Sequence, residues 1–122
     1  NFLSQKLPLA ENSSDLGVSF EQFLIQEVRA YLSYTRKSKK ISYWRTRGYE
    51  VDLLIGDEVA VEIKLSKKVK DEFFDGLNVL KEEKIFKKYY VVGRFESSGI
   101  SEGIHYLNYQ TFLNQLWKNE IC

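Results

Sequence analysis

The stretch Gly48–Ser66, GYEVDLLIGDEVAVEIKLS, decides how this chain folds. Apolar and charged residues alternate on either side of a short Gly56-Asp57 break, the pattern of two strands joined by a turn. Side chains along a strand point to opposite faces in turn, and residues directly opposed on paired strands share a face. Val51, Leu53 and Ile55 then form one apolar row, which Val59, Val61, Ile63 and Leu65 continue after the turn. The other face carries Asp52, Glu62 and Lys64. With Ile55 opposite Val59 across a three-residue turn, Asp52 falls opposite Glu62 and their Cβ atoms lie ~5 Å apart. A two-residue turn would shift the register and separate them.

Two carboxylates so placed repel each other, and partial burial penalises both charges unless something positive sits between them. Mg²⁺ or Mn²⁺ suits the position, because these hard cations take oxygen ligands and keep several waters, one of which can become the nucleophile in phosphodiester hydrolysis. Lys64, two residues beyond Glu62 on the same face, would aim its ammonium at that water or at the scissile phosphate. A solvent-facing strand shows the same alternation, and in a chain with 29% charged residues an E-x-K triplet alone carries little weight.

The flanking sequence supplies the remaining elements. Ser19 followed by Gln22 is a capping-box pattern, and Phe20, Phe23, Leu24, Val28, Tyr31 and Leu32 recur at helical spacing, so a helix is expected from Ser19 to Thr35. Glu21 then lies in its first turn, where the helix dipole favours a carboxylate whatever its function. Ile41 to Arg47 reads as the first strand, turned by Gly48 into the strand bearing Asp52. Phe73, Leu77 and Leu80 predict a helix over Val69 to Lys84, and Tyr89 to Phe95 a further strand. A crossover helix between strands of one sheet implies parallel pairing, so the sheet is expected to be mixed. Gly99 and Gly103 bracket a loop, and Asn108 to Lys118 reads as a closing amphipathic helix. The outcome is an α/β fold with the core order α-β-β-β-α-β, a mixed central sheet flanked by helices. Residues 1–16 carry the only proline, Pro8, and no sustained period, and read as a linker or the end of a preceding domain. Residues 17–122 read as one domain.

A chain of 122 residues, 43% hydrophobic and 15% aromatic, can bury one core. The only cysteine, Cys122, excludes an internal disulfide and is expected to be exposed; a cytoplasmic location follows. No apolar run reaches the length of a membrane span. Methionine is absent, even at position 1, which suggests a piece of a longer protein. The net charge of +1 does not point to nucleic acid, but its distribution does more. Arg36, Lys37, Lys39 and Lys40 cluster, as do Lys64, Lys67, Lys68 and Lys70, and Lys84, Lys87 and Lys88. Such clusters either neutralise phosphates or solubilise loops and edges. No Gly-rich phosphate loop, zinc-type Cys/His spacing or Ser-His-Asp order is present. His105, the lone histidine, reads as structural, Trp44 as a core aromatic, Asp57 and Glu58 as turn residues, and Asp71 and Asp75 as polar positions of the second helix.

The order Gly17-x-x-x-Glu21 on a helix, then Asp52, then Glu62-x-Lys64, resembles the PD-(D/E)XK nuclease superfamily, which includes many restriction enzymes. No proline precedes Asp52, a position at which that superfamily is tolerant. The strings GVSFEQFLIQEV, ISYWRTRGYEVDLLI, VAVEIKLS, YYVVGRF and IHYLNYQTFLNQLW look more closely like the nuclease-like domain that ends many prokaryotic AAA-type ATPases of uncharacterised function. That resemblance spans Gly17 to Trp117. It implies a restriction-endonuclease-like core and a Mg²⁺- or Mn²⁺-dependent hydrolase acting on DNA. Asp52 and Glu62 would be metal ligands, Lys64 would assist the attacking water or the transition state, and Glu21 would be an accessory ligand, with Glu27 its substitute. Partners implied are DNA and an ATPase domain in the same full-length chain, with room for a homo-oligomer and no membrane. A catalytically silent module of the same fold, binding DNA or a partner, is the alternative.

Overall fold

The computed structural model describes residues 13–122. Of the linker read over 1–16, residues 1–12 and Pro8 among them lie outside the described residues, while 13–16 open the first helix. β1 (Ile41–Thr46) and β2 (Tyr49–Ile55) form an antiparallel hairpin closed by Arg47-Gly48, both with positive φ of 41° and 85°. Turns of that kind match the right-handed strand twist, and glycine accepts the conformation without a Cβ penalty. β2 pairs antiparallel with β3 (Val59–Ile63) in the register Ile55↔Val59, Leu54↔Ala60, Leu53↔Val61, which is the three-residue turn expected.

The chain then crosses over through a 3₁₀ turn, Asp71–Phe74, and α2 (Asp75–Lys81) to β4 (Lys88–Gly93), which lies parallel to β3. This helical stretch is shorter than the Val69–Lys84 expected. The adjacent Phe73 and Phe74 are both buried, which the tight 3₁₀ turn allows; beyond Lys81, Glu82 to Lys84 are exposed and offer no apolar contact to extend the helix. β6 (Ile104–Asn108) runs parallel to β4, and β5 (Gly99–Ser101) pairs antiparallel with β6. The stretch read as a loop between Gly99 and Gly103 is therefore half of a hairpin, three residues long and too short to show a period. α3 (Tyr109–Trp117) starts where Asn108 Oδ1 accepts the Gln110 N–H at 2.8 Å. The sheet order is β1-β2-β3-β4-β6-β5, mixed as expected.

α1 covers Ser13–Thr35 rather than beginning at Ser19. Leu16 precedes Phe20, Leu24 and Val28 at steps of four, so the apolar face continues upstream; Gly17 costs a helix only about 1 kcal/mol and does not stop it. Ser19 is thus an interior residue and not a cap, and Glu21 lies two turns inside the helix. The dipole explanation for Glu21 lapses, because that effect fades beyond the first turn.

Helices cover both faces of the sheet. α1 and α3 press Phe20, Leu24, Val28, Phe112 and Leu116 onto Leu53, Ile55, Val59, Val61, Ile63, Tyr90 and Val92. On the opposite face Phe73, Phe74, Leu77 and Leu80 pack against Val51, Leu54, Ala60, Tyr89 and Val91. Cys122, expected to be exposed, is half-buried against the α1/α3 core, and its carbonyl accepts the Tyr31 hydroxyl at 2.7 Å. Among the described residues no helix is long and apolar enough to cross a membrane.

Candidate active site

β3 is buried along its whole length because both of its faces are covered. Val59, Val61 and Ile63 face α1 and α3, and Ala60 faces α2. Glu62 shares the parity of Ala60, so the sheet directs a carboxylate toward the interior. It is 6% exposed, the one buried charged residue among those described. The solvent-facing reading of this strand therefore fails at Glu62. A buried acid without a structural charge partner of matching strength is costly, and its persistence calls for a reason.

Asp52 reaches Glu62 by a route that parity did not anticipate. Trp44 pairs with Val51 but Ser42 pairs with Leu54, so β2 carries one more residue than β1 opposite Tyr43. The bulge breaks the expected row: Leu53 and Ile55 join the α1/α3 core, while Val51 turns to the α2 side. The β2–β3 ladder reaches only Leu53↔Val61, and side chains take over beyond it. Asp52 Oδ2 accepts the Ile63 N–H at 2.8 Å, and the Asp52 N–H donates to Glu62 Oε1 at 3.3 Å. Each acid thus satisfies a main-chain donor on the other's strand, which fixes the pair where the two strands part.

Two further side chains converge there. Glu21 leans from α1 onto Asp52; burial, then the charge and hydrogen bond of Asp52, then Glu50, push its carboxyl up to about 7 against the pull of Lys64. Glu21, not Glu27, is therefore the helical acid at this position. Lys64 Nζ lies 3.5 Å from Glu62 Oε2 and 5.4 Å from the centre of the Phe73 ring. The aromatic face and the carboxylate together hold the ammonium over the pair. Even so, burial first, then the hydrogen bond and charge of Asp52, raise the Glu62 carboxyl to about 9, with Lys64 opposing. Burial and the neighbouring Asp52 thus disfavour the charged form of Glu62 more than the Lys64 ammonium favours it. Among the described residues no three His, Cys, Asp or Glu side chains stand as a group able to hold a metal ion, and one oxygen each of Asp52 and Glu62 is engaged by a main-chain donor.

The basic clusters separate by position. Lys39 is ion-paired with Glu58, Lys37 donates to the Tyr31 hydroxyl at 2.8 Å, and Lys88 donates to the Glu120 carbonyl at 2.9 Å, so these lysines serve the β2–β3 turn end of the sheet. The middle cluster sits at the carboxyl end of β3, where Arg94 N–H donates to the Ser66 carbonyl and draws the end of β4 alongside. Lys64 alone of these reaches the acids; Lys67, Lys68, Lys70 and Arg94 follow the carboxyl ends of two parallel strands, β3 and β4, a usual place for ligands in α/β sheets. Gly93 makes room for this: a Cβ there would lie 2.8 Å from the Lys64 carbonyl and 2.6 Å from Phe95 Cζ. His105 is exposed and packs its ring on Tyr90, and Trp44 is half-buried beside the α2 core, as it was read. The bulge, the Phe73 support and the Ser66–Arg94 junction carry no pattern in the sequence, since each depends on strands distant in the chain.

Fold and site together define an α/β domain with a mixed six-stranded sheet and an acid-acid-lysine set where two antiparallel strands diverge. Residues 16–112 match the family described as a domain of unknown function, DUF4143, and the chain belongs to that family. No curated protein and no solved structure matches it.

Proposed function

We propose that this chain is a metal-dependent nuclease domain that hydrolyses phosphodiester bonds in DNA as the C-terminal part of an AAA-type ATPase. The observation that carries the reading is Glu62, an acid inside a strand covered on both faces, bonded to Asp52 and flanked by Lys64. DUF4143 domains are common at the C-termini of AAA-type ATPases, which supports the second half of the reading.

The carboxylate oxygens are of the type a hard divalent cation takes, once Asp52 and Glu62 turn from their main-chain partners toward it. Asp52 and Glu62 would hold Mg²⁺ or Mn²⁺ with Glu21 as accessory ligand, replacing the proton that the crowded carboxyls otherwise keep. Bound there, the ion supplies a lowered pKa for water and positive charge at the phosphate. Lys64 places its ammonium where it orients the attacking water and offsets charge on the phosphoryl oxygens. The Phe73 ring supports that ammonium from one side at 5.4 Å. Lys67, Lys68, Lys70 and Arg94, next along the chain from the ends of β3 and β4, would neutralise flanking phosphates.

Cleavage of supercoiled plasmid and branched DNA with Mg²⁺ or Mn²⁺ tests the proposal: wild-type chain cuts, Glu62→Ala and Lys64→Ala do not. Cutting that survives both substitutions would refute it. A silent DNA- or partner-binding module is the second reading, favoured by the inward hydrogen bonds of Asp52 and Glu62, and it predicts no metal-dependent cutting.

A further inference from the structure

A cavity of about 360 Å³ opens beside Asp52, walled by Ile25 and Arg29 of α1 and by Ile41, Ser42 and Tyr43 of β1. Its position follows from the bulge. Tyr43 is the β1 residue skipped between the Ser42 and Trp44 pairings, and Asp52 lies across from it, so the same irregularity that aims the acid also opens space beside it. Tyr43 is 64% exposed, although a ring of that size on a strand would ordinarily be covered. Its face carries the Arg45 guanidinium at 5.0 Å from the ring centre. Arg29 forms no ion pair among the described residues. An apolar floor, an exposed aromatic ring and the Arg29 guanidinium line one cavity with a candidate ligand of the metal, while Arg45, paired with Glu50 at 3.3 Å, lies over the Tyr43 ring.

Resting on the nuclease reading, we infer that this cavity receives one unpaired nucleotide next to the scissile phosphate, so the preferred substrate is single-stranded DNA or a frayed end, not intact duplex. The aromatic wall and the size of the cavity together favour the unpaired nucleotide. Ligand pockets run from roughly 300 to 1,000 Å³, and this one sits at the small end, sized for a single base and sugar. A base within a duplex is stacked on both faces and cannot lie on Tyr43 unless it leaves the helix. Stacking on an aromatic side chain is tolerant of sequence, because every base has a π-face. Arg29, in the cavity wall, supplies the charge that holds a neighbouring phosphate.

Fluorescence anisotropy with labelled oligothymidylate and a labelled duplex hairpin, in EDTA at low salt, tests the inference without cleavage. The single strand is expected to bind more tightly than the hairpin. Tyr43→Ala is expected to weaken single-strand binding about 5- to 150-fold, the range that stacking of one base commands. Tyr43→Trp is expected to restore it, and Tyr34→Ala, which removes another exposed tyrosine that lies against Trp117 and not in the cavity wall, is expected to bind as wild type. Arg29→Ala is expected to lower the slope of log affinity against log salt by about one. Because Tyr43 is exposed, its truncation leaves the core intact, and an unchanged circular dichroism spectrum verifies this. Wild-type affinity in Tyr43→Ala, hairpin binding as tight as that of the single strand, or no single-strand binding at all would overturn it. A chain that cuts plasmid yet binds oligothymidylate equally with Tyr43→Ala keeps the nuclease reading and loses the subsite. A chain that binds through Tyr43 but never cuts keeps the subsite and loses the nuclease.

Discussion

Replacing Glu62 with glutamine should make the metal-free protein more stable in mild alkali while removing its metal site. The folded carboxyl is raised from 4.5 to about 9, so between those values the folded chain retains a proton that the unfolded chain has released. A group raised in this way contributes stability that is fully present below pH 4.5 and is lost as pH rises through the folded value. Each pH unit in that window costs about 1.4 kcal/mol, which sets an upper limit of about 5 kcal/mol at pH 8. Water entry and local rearrangement reduce this, and single substitutions seldom exceed about 3 kcal/mol, so the expected gain from Glu62→Gln at pH 8 is about 1–3 kcal/mol. For a chain of this length that raises Tm by roughly 4–12 °C. Glutamine keeps the shape and its carbonyl still accepts the Asp52 N–H, so packing is retained. Glu21, raised only to about 7, contributes its own slope below neutrality, and the comparison is therefore read between pH 7 and 9. Thermal denaturation in EDTA across that window should show wild-type stability falling while the variant stays flat. Parallel curves, or a variant less stable than wild type at pH 8, would show that Glu62 is not a strained acid.

Gly93→Ala should destabilise the fold by about 1–3 kcal/mol, since the added methyl meets the Lys64 carbonyl and Phe95, and should also reduce cleavage by displacing Lys64; urea unfolding and plasmid cleavage read the two effects. Arg47→Asn should stabilise the β1–β2 hairpin by a few tenths to about 1 kcal/mol, because asparagine tolerates the left-handed φ of 41° better than arginine, and a lower urea midpoint would contradict the turn assignment. Replacing Lys67, Lys68 and Lys70 together with alanine should leave thermal stability within about 0.5 kcal/mol per site while flattening the salt dependence of DNA binding; an unchanged slope would remove the middle cluster from the phosphate path.

Register and face were legible in the sequence wherever the period was undisturbed. The turn Gly56-Asp57-Glu58 fixed Ile55 opposite Val59, and from there Glu62 and Lys64 followed by counting. Counting failed at Val51, since a bulge is set by the pairing of β2 with β1 and leaves no mark in β2 alone. It failed again at the start of α1, where Ser19 looked like a cap although the apolar face ran on to Leu16. What counting could not supply was burial. Glu62 reads as surface or interior according to whether α2 covers that face, and the coverage comes from Phe73 and Leu77, more than ten residues further along. The acid, the acid and the lysine were named from spacing; the burial that raises the Glu62 carboxyl, and the ring that steadies Lys64, come only from the packed structure.

Calorimetric titration of Mn²⁺ into the chain at pH 8, repeated in two buffers of different ionisation enthalpy, addresses the central claim most directly. The account predicts one ion bound per chain with release of the proton held by Glu62, and loss of that binding in Glu62→Gln and Asp52→Asn. Heats indistinguishable from dilution, or binding that persists in both variants, would contradict it.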